Sequence, residues 1–304
     1  MKNNEKFLIV LDADATLVNS EKMQGAFYRD ALSILFKDNP EAIKKLDSTL
    51  SSDEEECKEW YYNNLMGRGA LQAQVISENI YPITTKEMAM VNGYVDKRLL
   101  QAVGKDMVLD GAKEMLQDLS KMENVEICIV SNGSAEPVAL ELLKSKTLDS
   151  STRINGFYTL EWLKRSGERI DKTEMVKQIM ADRGITDATH VICVGDGIGD
   201  MKMGTNIDEN GKNAYRIGCV AAFDSPETGR NPFKDKRAKE LLDNGADVVF
   251  DGYNGIFDAI VKKIAEVESK NTQNKEKSSD KTKNGSLDLP TFRKIAEERK
   301  IRIL

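Results

Sequence analysis

Histidine is nearly missing from this chain: His190 is the only one in 304 residues. That scarcity excludes His-based catalytic triads and histidine-rich metal sites, and leaves acid–base work to carboxylates or lysines. His190 directly precedes Val191-Ile192-Cys193-Val194 and reads as a strand-edge residue. Cysteine is scarce too. Cys57, Cys128, Cys193 and Cys219 stand far apart and form no Cys-x-x-Cys pair, and three of them lie in apolar strand-like runs. They read as reduced core residues. No apolar run approaches the roughly 20 residues of a membrane helix, and Met1–Lys6 is too polar and too brief for a signal peptide. The expected compartment is the cytoplasm, with no membrane span, and no internal repeat is found.

Clustered positive charge is also lacking over most of the length. Lys270–Leu304 holds ten Lys/Arg and five Asp/Glu, a balance of +5 within a net charge of −6, so the preceding residues carry −11. An acidic body argues against general nucleic-acid binding, which needs a basic footprint. With 40% hydrophobic and 31% charged residues, the composition is that of a globular protein of one large or two modest domains.

The most informative stretch is Phe7-Leu8-Ile9-Val10-Leu11-Asp12-Ala13-Asp14-Ala15-Thr16-Leu17. Five large apolar residues without alternation suit a parallel strand buried on both faces. Ligands of open parallel sheets bind beyond the carboxyl ends of the strands, where Asp12 and Asp14 would sit. Neighbouring carboxylates push their pKa values apart, so one stays an anion while the other keeps a proton. Alone, the stretch also fits a strand followed by an acidic turn.

From about Ser20 to Lys105 helical patterns replace strand-like runs, as in Ala26–Leu35. Alternation then resumes, with a helix over 111–122, a strand over 125–130, helices near 137–144 and over 172–182, strands over 190–194, 215–222 and 246–250, and a helix over 256–266. Strands alternating with helices predict a parallel sheet. The expected organisation is an α/β core over 6–19 and 106–267 and a helical segment over 20–105. Residues 268–286, poor in large apolar side chains, are expected to form a flexible linker. A basic tail over 287–304 follows, in which Leu287–Pro290 can start a short helix.

Other strand ends repeat the first. Ile127–Val130 runs into Ser131-Asn132-Gly133-Ser134, where a hydroxyl and free N–H groups can hold a phosphate oxygen, although such a turn on its own reads first as an ordinary connection with a capping serine. Val191–Val194 runs into Gly195-Asp196-Gly197-Ile198-Gly199-Asp200. This is not a dinucleotide fingerprint, since the glycine spacing differs and carboxylates would repel a pyrophosphate. Hard oxygen ligands without histidine or cysteine suggest Mg²⁺ held by Asp196 and Asp200. Lys172 opens a helix; most such lysines are solvated surface charges, but converging carboxylates and a phosphoryl group require a fixed cation.

Asp12-x-Asp14-x-Thr16, the Ser131 turn, Lys172 and Gly195-Asp196-x-x-x-Asp200 together resemble the haloacid dehalogenase-like hydrolase superfamily over roughly residues 6 to 265. The resemblance implies a Rossmann-like core and an all-helical cap inserted after the first strand. It implies Asp12 as a nucleophile that forms an aspartyl-phosphate and Asp14 as general acid then base. Mg²⁺ would be bound by Asp12, the backbone carbonyl of Asp14 and Asp196, with Asp200 supporting the metal shell. Ser131, Asn132 and Lys172 would hold the phosphoryl group. Dehalogenase members lack the second carboxylate because halide leaves without a proton, whereas an alkoxide needs one, so Asp14 points to phosphate esters. The stretch Asp12–Glu21 is similar to the start of phosphoserine phosphatases, which implies Glu21 as a contact for a substrate amine; a surface glutamate opening a cap helix is the equal alternative. Arg68 is a candidate for their cap arginine. The second motif reads Ser131-Asn132-Gly133 where those enzymes have Ser-Gly-Gly, and Gly199 stands in place of asparagine.

The expected function is a Mg²⁺-dependent phosphatase acting on a small phosphorylated metabolite. A phosphotransferase or phosphomutase on the same scaffold, or a binding role through the basic tail toward an unknown partner, are the alternatives.

Overall fold

The computed structural model describes residues 6–65, 72–102, 107–159, 162, 171–223 and 232–279. The chain divides into two compact units, Met1–Lys263 and Ile264–Leu304. The first is built on a six-stranded, all-parallel sheet in the order β3-β2-β1-β4-β5-β6. Its strands are β1 (Phe7–Leu11), β2 (Val125–Val130), β3 (Gly156–Tyr158), β4 (Val191–Gly195), β5 (Tyr215–Cys219) and β6 (Val248–Phe250). The order reverses between β1 and β4, which opens a crevice at their carboxyl ends. This is an α/β Rossmann-like fold.

Every residue of β1 is buried, as an apolar run without alternation requires. Its side chains divide between two faces. Leu8 and Val10 join Cys128, Val130, Val191 and Cys193 in a cluster with Met175, Val176 and Ile179 of α8 (Lys172–Arg183). The cysteines are buried and none of them forms a disulfide. His190 ends a 3₁₀ turn just before β4 and lays its ring 5.0 Å from that of Phe7.

Between β1 and β2 the chain forms α1 (Glu21–Leu35), α2 (Pro40–Thr49), α3 (Glu54–Asn64), α4 (Gln72–Asn79) and α5 (Thr85–Ala102) before α6 (Ala112–Ser120) packs on β2. Asn39 caps α2 by accepting from Ala42 N–H, with Pro40 at the first helical position. Helix α1 packs on α3 and α5; Tyr28 and Tyr61 stack with ring centroids 5.4 Å apart, and the Tyr61 hydroxyl donates to Gln24 Oε1 at 2.6 Å. The segment leaves and returns through a narrow neck: Val18 bridges antiparallel to Val108, and Asn19 N–H donates to Met107 O at 2.8 Å. Gly111, at the returning limb, has a φ of +91°, a value that favours glycine.

The remaining helices are α7 (Ala135–Lys144), α9 (Ile198–Met203), α10 (Pro232–Asp243) and α11 (Tyr253–Ser279). Three elements lie outside the sequence expectation: β3, three residues without an apolar run, the short α9, and α10. Residues 268–279, the first part of the expected linker, continue α11. Their Lys, Glu and Gln are good helix formers, and extending an existing helix requires no new nucleus, so low hydrophobicity alone does not end it. Residues 280–304, including the expected short helix, lie outside the described residues. Among the described residues, no helix is long and apolar enough to cross a membrane.

Candidate active site

Four strand or helix ends deliver charge to the crevice. Asp12 follows β1 and its N–H donates to Val194 O at 2.9 Å, which ties the end of β1 to β4. Asp196 follows β4, and Asp200 lies in the first turn of α9. Lys172 is the first residue of α8, whose cap is Asp171 accepting from Glu174 N–H. A cation at the positive end of a helix dipole breaks the local electrostatic rule, and a lysine is rarely buried without partners. Lys172 is only 6% exposed, and its Nζ donates to Asp12 Oδ1 and Asp200 Oδ1, both at 2.6 Å.

The carboxylates of Asp12, Asp196 and Asp200 are all buried and each offers an oxygen within 4.8 Å of the others. Gly195 makes this packing possible: a Cβ there would run into the Asp200 side chain. Asp200 Oδ2 also accepts from Gly197 N–H at 2.8 Å, and Thr16 Oγ1 donates to Asp196 Oδ1 at 3.3 Å. Burial, and then the charge of Asp200, push the Asp12 carboxyl up to about 7 against the opposing pull of Lys172. Burial pushes the Lys172 ammonium down, but Asp12 and Asp200 outweigh it and hold the group well above the usual lysine range.

Asp14 faces elsewhere. It is half-buried; Oδ1 accepts from Ser20 Oγ at 2.6 Å and Oδ2 from Ser131 Oγ at 3.4 Å. Ser131 in turn accepts from Gly133 N–H at 2.9 Å, so its hydroxyl is fixed at the end of β2. The first pair of carboxylates is thereby split between two environments, one packed on a lysine and one on two hydroxyls.

A family model for haloacid dehalogenase-like hydrolases matches residues 8–208. The chain belongs to this family. Among curated proteins, none matches it significantly. Solved structures share the fold of this haloacid dehalogenase-like hydrolase. A haloacid dehalogenase family hydrolase from Deinococcus radiodurans, solved with bound phosphate and sodium, is 15% identical, with a TM-score of 0.55 over 86% of this chain and 97% of that one. A predicted phosphoglycolate phosphatase from Haemophilus somnus is 16% identical, with a TM-score of 0.51 over 86% of this chain and 100% of that one. A β-phosphoglucomutase from Clostridium difficile is 15% identical, with a TM-score of 0.53 over 87% of this chain and 99% of that one.

In this haloacid dehalogenase-like hydrolase, Asp12, Lys172, Asp196 and Asp200 meet in one cluster and Asp14 meets Ser131 beside it. Asn132 is exposed on the turn after Ser131. Glu21 opens α1, but its side chain lies outside what the structure describes, and Arg68 lies outside the described residues. The donor set around Asp12 fits a small hard dication. It is all oxygen and buried, with three carboxylates around one lysine, and hard oxygen donors of this kind suit such an ion.

Two contributors escaped the motif pattern. Ser20 is fully buried at the N-cap of α1, yet makes no side-chain bond to that helix and donates to Asp14 instead. A small polar residue before a helix signals a cap, and nothing local tells that the hydroxyl turns away. Tyr253 donates to the carbonyl oxygen of Thr16 at 2.6 Å across a separation of 237 residues, a contact no local pattern announces.

Proposed function

We propose that the protein is a Mg²⁺-dependent phosphatase that hydrolyses a small phosphomonoester through an aspartyl-phosphate on Asp12. The observation that carries this reading is the division of labour in the carboxylate pair: Asp12 is bonded to Lys172, and Asp14 to Ser20 and Ser131. An Asp12 oxygen attacks phosphorus while the ester P–O bond breaks, and Asp14 gives its proton to the leaving alkoxide. Asp14 then takes a proton from the water that attacks the aspartyl-phosphate, which releases phosphate and restores both residues. Lys172 holds Asp12 in place and, with Ser131, offers donors to the phosphoryl oxygens. Asp12, Asp196 and Asp200 would hold Mg²⁺, which when bound would offset the negative charge of the phosphoryl group. The four buried free thiols support placement in a reducing compartment, the cytoplasm.

Release of inorganic phosphate from a panel of phosphorylated amino acids, sugars and nucleotides with Mg²⁺ tests the reading. Substrates bearing an amine come first because Glu21 opens α1. Asp12→Asn should abolish release and leave the circular dichroism spectrum unchanged; turnover like the wild type in that variant would refute the nucleophile. The likeness of fold to a β-phosphoglucomutase favours transfer as the second reading. No phosphate release from any ester, together with transfer to an added hydroxyl acceptor, would establish it.

A further inference from the structure

Tyr253, the first residue of α11, takes no part in the chemistry above, yet its hydroxyl reaches the turn that follows β1. The residue is 3% exposed and donates to Thr16 O at 2.6 Å. That turn is strained: Ala15 has a φ of 55°, in the left-handed region that side chains other than glycine avoid. Such a conformation persists where its surroundings over-determine it. Ala15 N–H donates to Val18 O at 2.7 Å, and Tyr253 secures the peptide of the next residue. The side chain of that same residue, Thr16, is fully buried and donates to Asp196. The Tyr253 ring lies against the returning limb of the neck, since a Cβ on Gly111 would stand 3.5 Å from Tyr253 Cδ2. The hydroxyl is also in hydrogen-bonding contact with the Cys219 thiol, which burial pushes up to about 12, so both groups stay neutral and act as fixed dipoles.

We propose that Tyr253 is a positioning residue for the cation site, fixing the Thr16 peptide so that the Thr16 hydroxyl holds Asp196 beside Asp12 and Asp200. The inference rests on the cation-binding part of the function proposed above. It extends the site beyond the matched residues 8–208.

Calorimetric titration of the full chain with Mg²⁺ tests it, on the wild type, Tyr253→Phe, Thr16→Val, the double variant, and Ile256→Val as a stability control buried on the same helix. Tyr253→Phe should weaken Mg²⁺ binding by about tenfold, as loss of a group that orients a metal ligand does. The double variant should bind no more weakly than Thr16→Val, because both changes act through one contact. Ile256→Val should lower the melting temperature and leave the affinity unchanged. A Tyr253→Phe affinity within about twofold of the wild type, or independent losses in the double variant, would overturn the proposal. A wild type that binds no Mg²⁺ would overturn the cation site and this inference together, whereas Mg²⁺ binding without phosphate release would sink only the phosphatase reading.

Discussion

Lys172 shows how much chemistry one residue carries. Its ammonium is shared between two buried carboxylates, and removing it leaves them side by side without a counter-charge. Breaking a buried pair in this way costs about 3–5 kcal/mol. Lys172→Met should therefore lower the melting temperature by several degrees and abolish phosphate release, with added Mg²⁺ recovering part of the stability; differential scanning calorimetry with and without the cation checks this. Asp12 sets the response to pH. Its carboxyl stands at about 7 in the folded chain without a cation, above the ordinary value of 3.8. A raised carboxyl favours the folded state on the acid side, and that contribution is lost as pH climbs through about 7. The metal-free protein should accordingly lose stability between pH 4 and 7 as far as Asp12 is concerned. Mg²⁺ must displace that proton, so its affinity should fall about tenfold per unit well below pH 7, with proton release visible as a buffer-dependent binding enthalpy.

Among the elements, the tight turn between β4 and α9 is where backbone and chemistry constrain each other most. Gly195 ends β4 because Asp200 folds back over it. Gly195→Ala should displace the Asp200 carboxylate and with it Lys172. A misplacement of about 1 Å in a site of this kind costs about 100-fold in rate, so kcat should fall by that order while the far-UV spectrum is kept. The elements differ in how openly the sequence declares them. β1, β4 and the Ile127–Val130 part of β2 are continuous apolar runs, and their polar ends name Asp12, Asp196 and Ser131 directly. β3 has three half-buried residues, and its place in the sheet comes from pairing with β2, which no local pattern encodes. The continuation of α11 through 268–279 is the opposite case: composition suggests a linker, but propagation from an apolar-faced helix carries the backbone onward.

At the scale of the molecule, the strand order brings together residues 12, 131, 172, 196 and 200, which are spread over most of the chain. β1 lies between β2 and β4, and the helical segment inserted after its carboxyl end is joined to the core by the Val18–Val108 neck. A cation that binds only the folded chain must stabilise the whole of it: at a concentration of 100 times Kd the gain is about 2.7 kcal/mol. The melting temperature should rise with Mg²⁺ above pH 7 and respond less below pH 5, where Asp12 holds its proton.

The sequence by itself determined the α/β class, the place of the helical insertion, and the acidic and basic residues at the strand ends. Apolar runs without alternation dictate buried parallel strands, and charge at the end of such a run has no packing purpose. Only the tertiary structure decided what those charges touch. It put Asp12 against Lys172 and Asp200, turned Asp14 toward Ser20 and Ser131, and set Tyr253 on the Thr16 carbonyl. The physical reason is range: periodicity and capping act over a few residues, whereas these partners lie 6 to 237 residues apart and meet only once the strand order and packing bring them together.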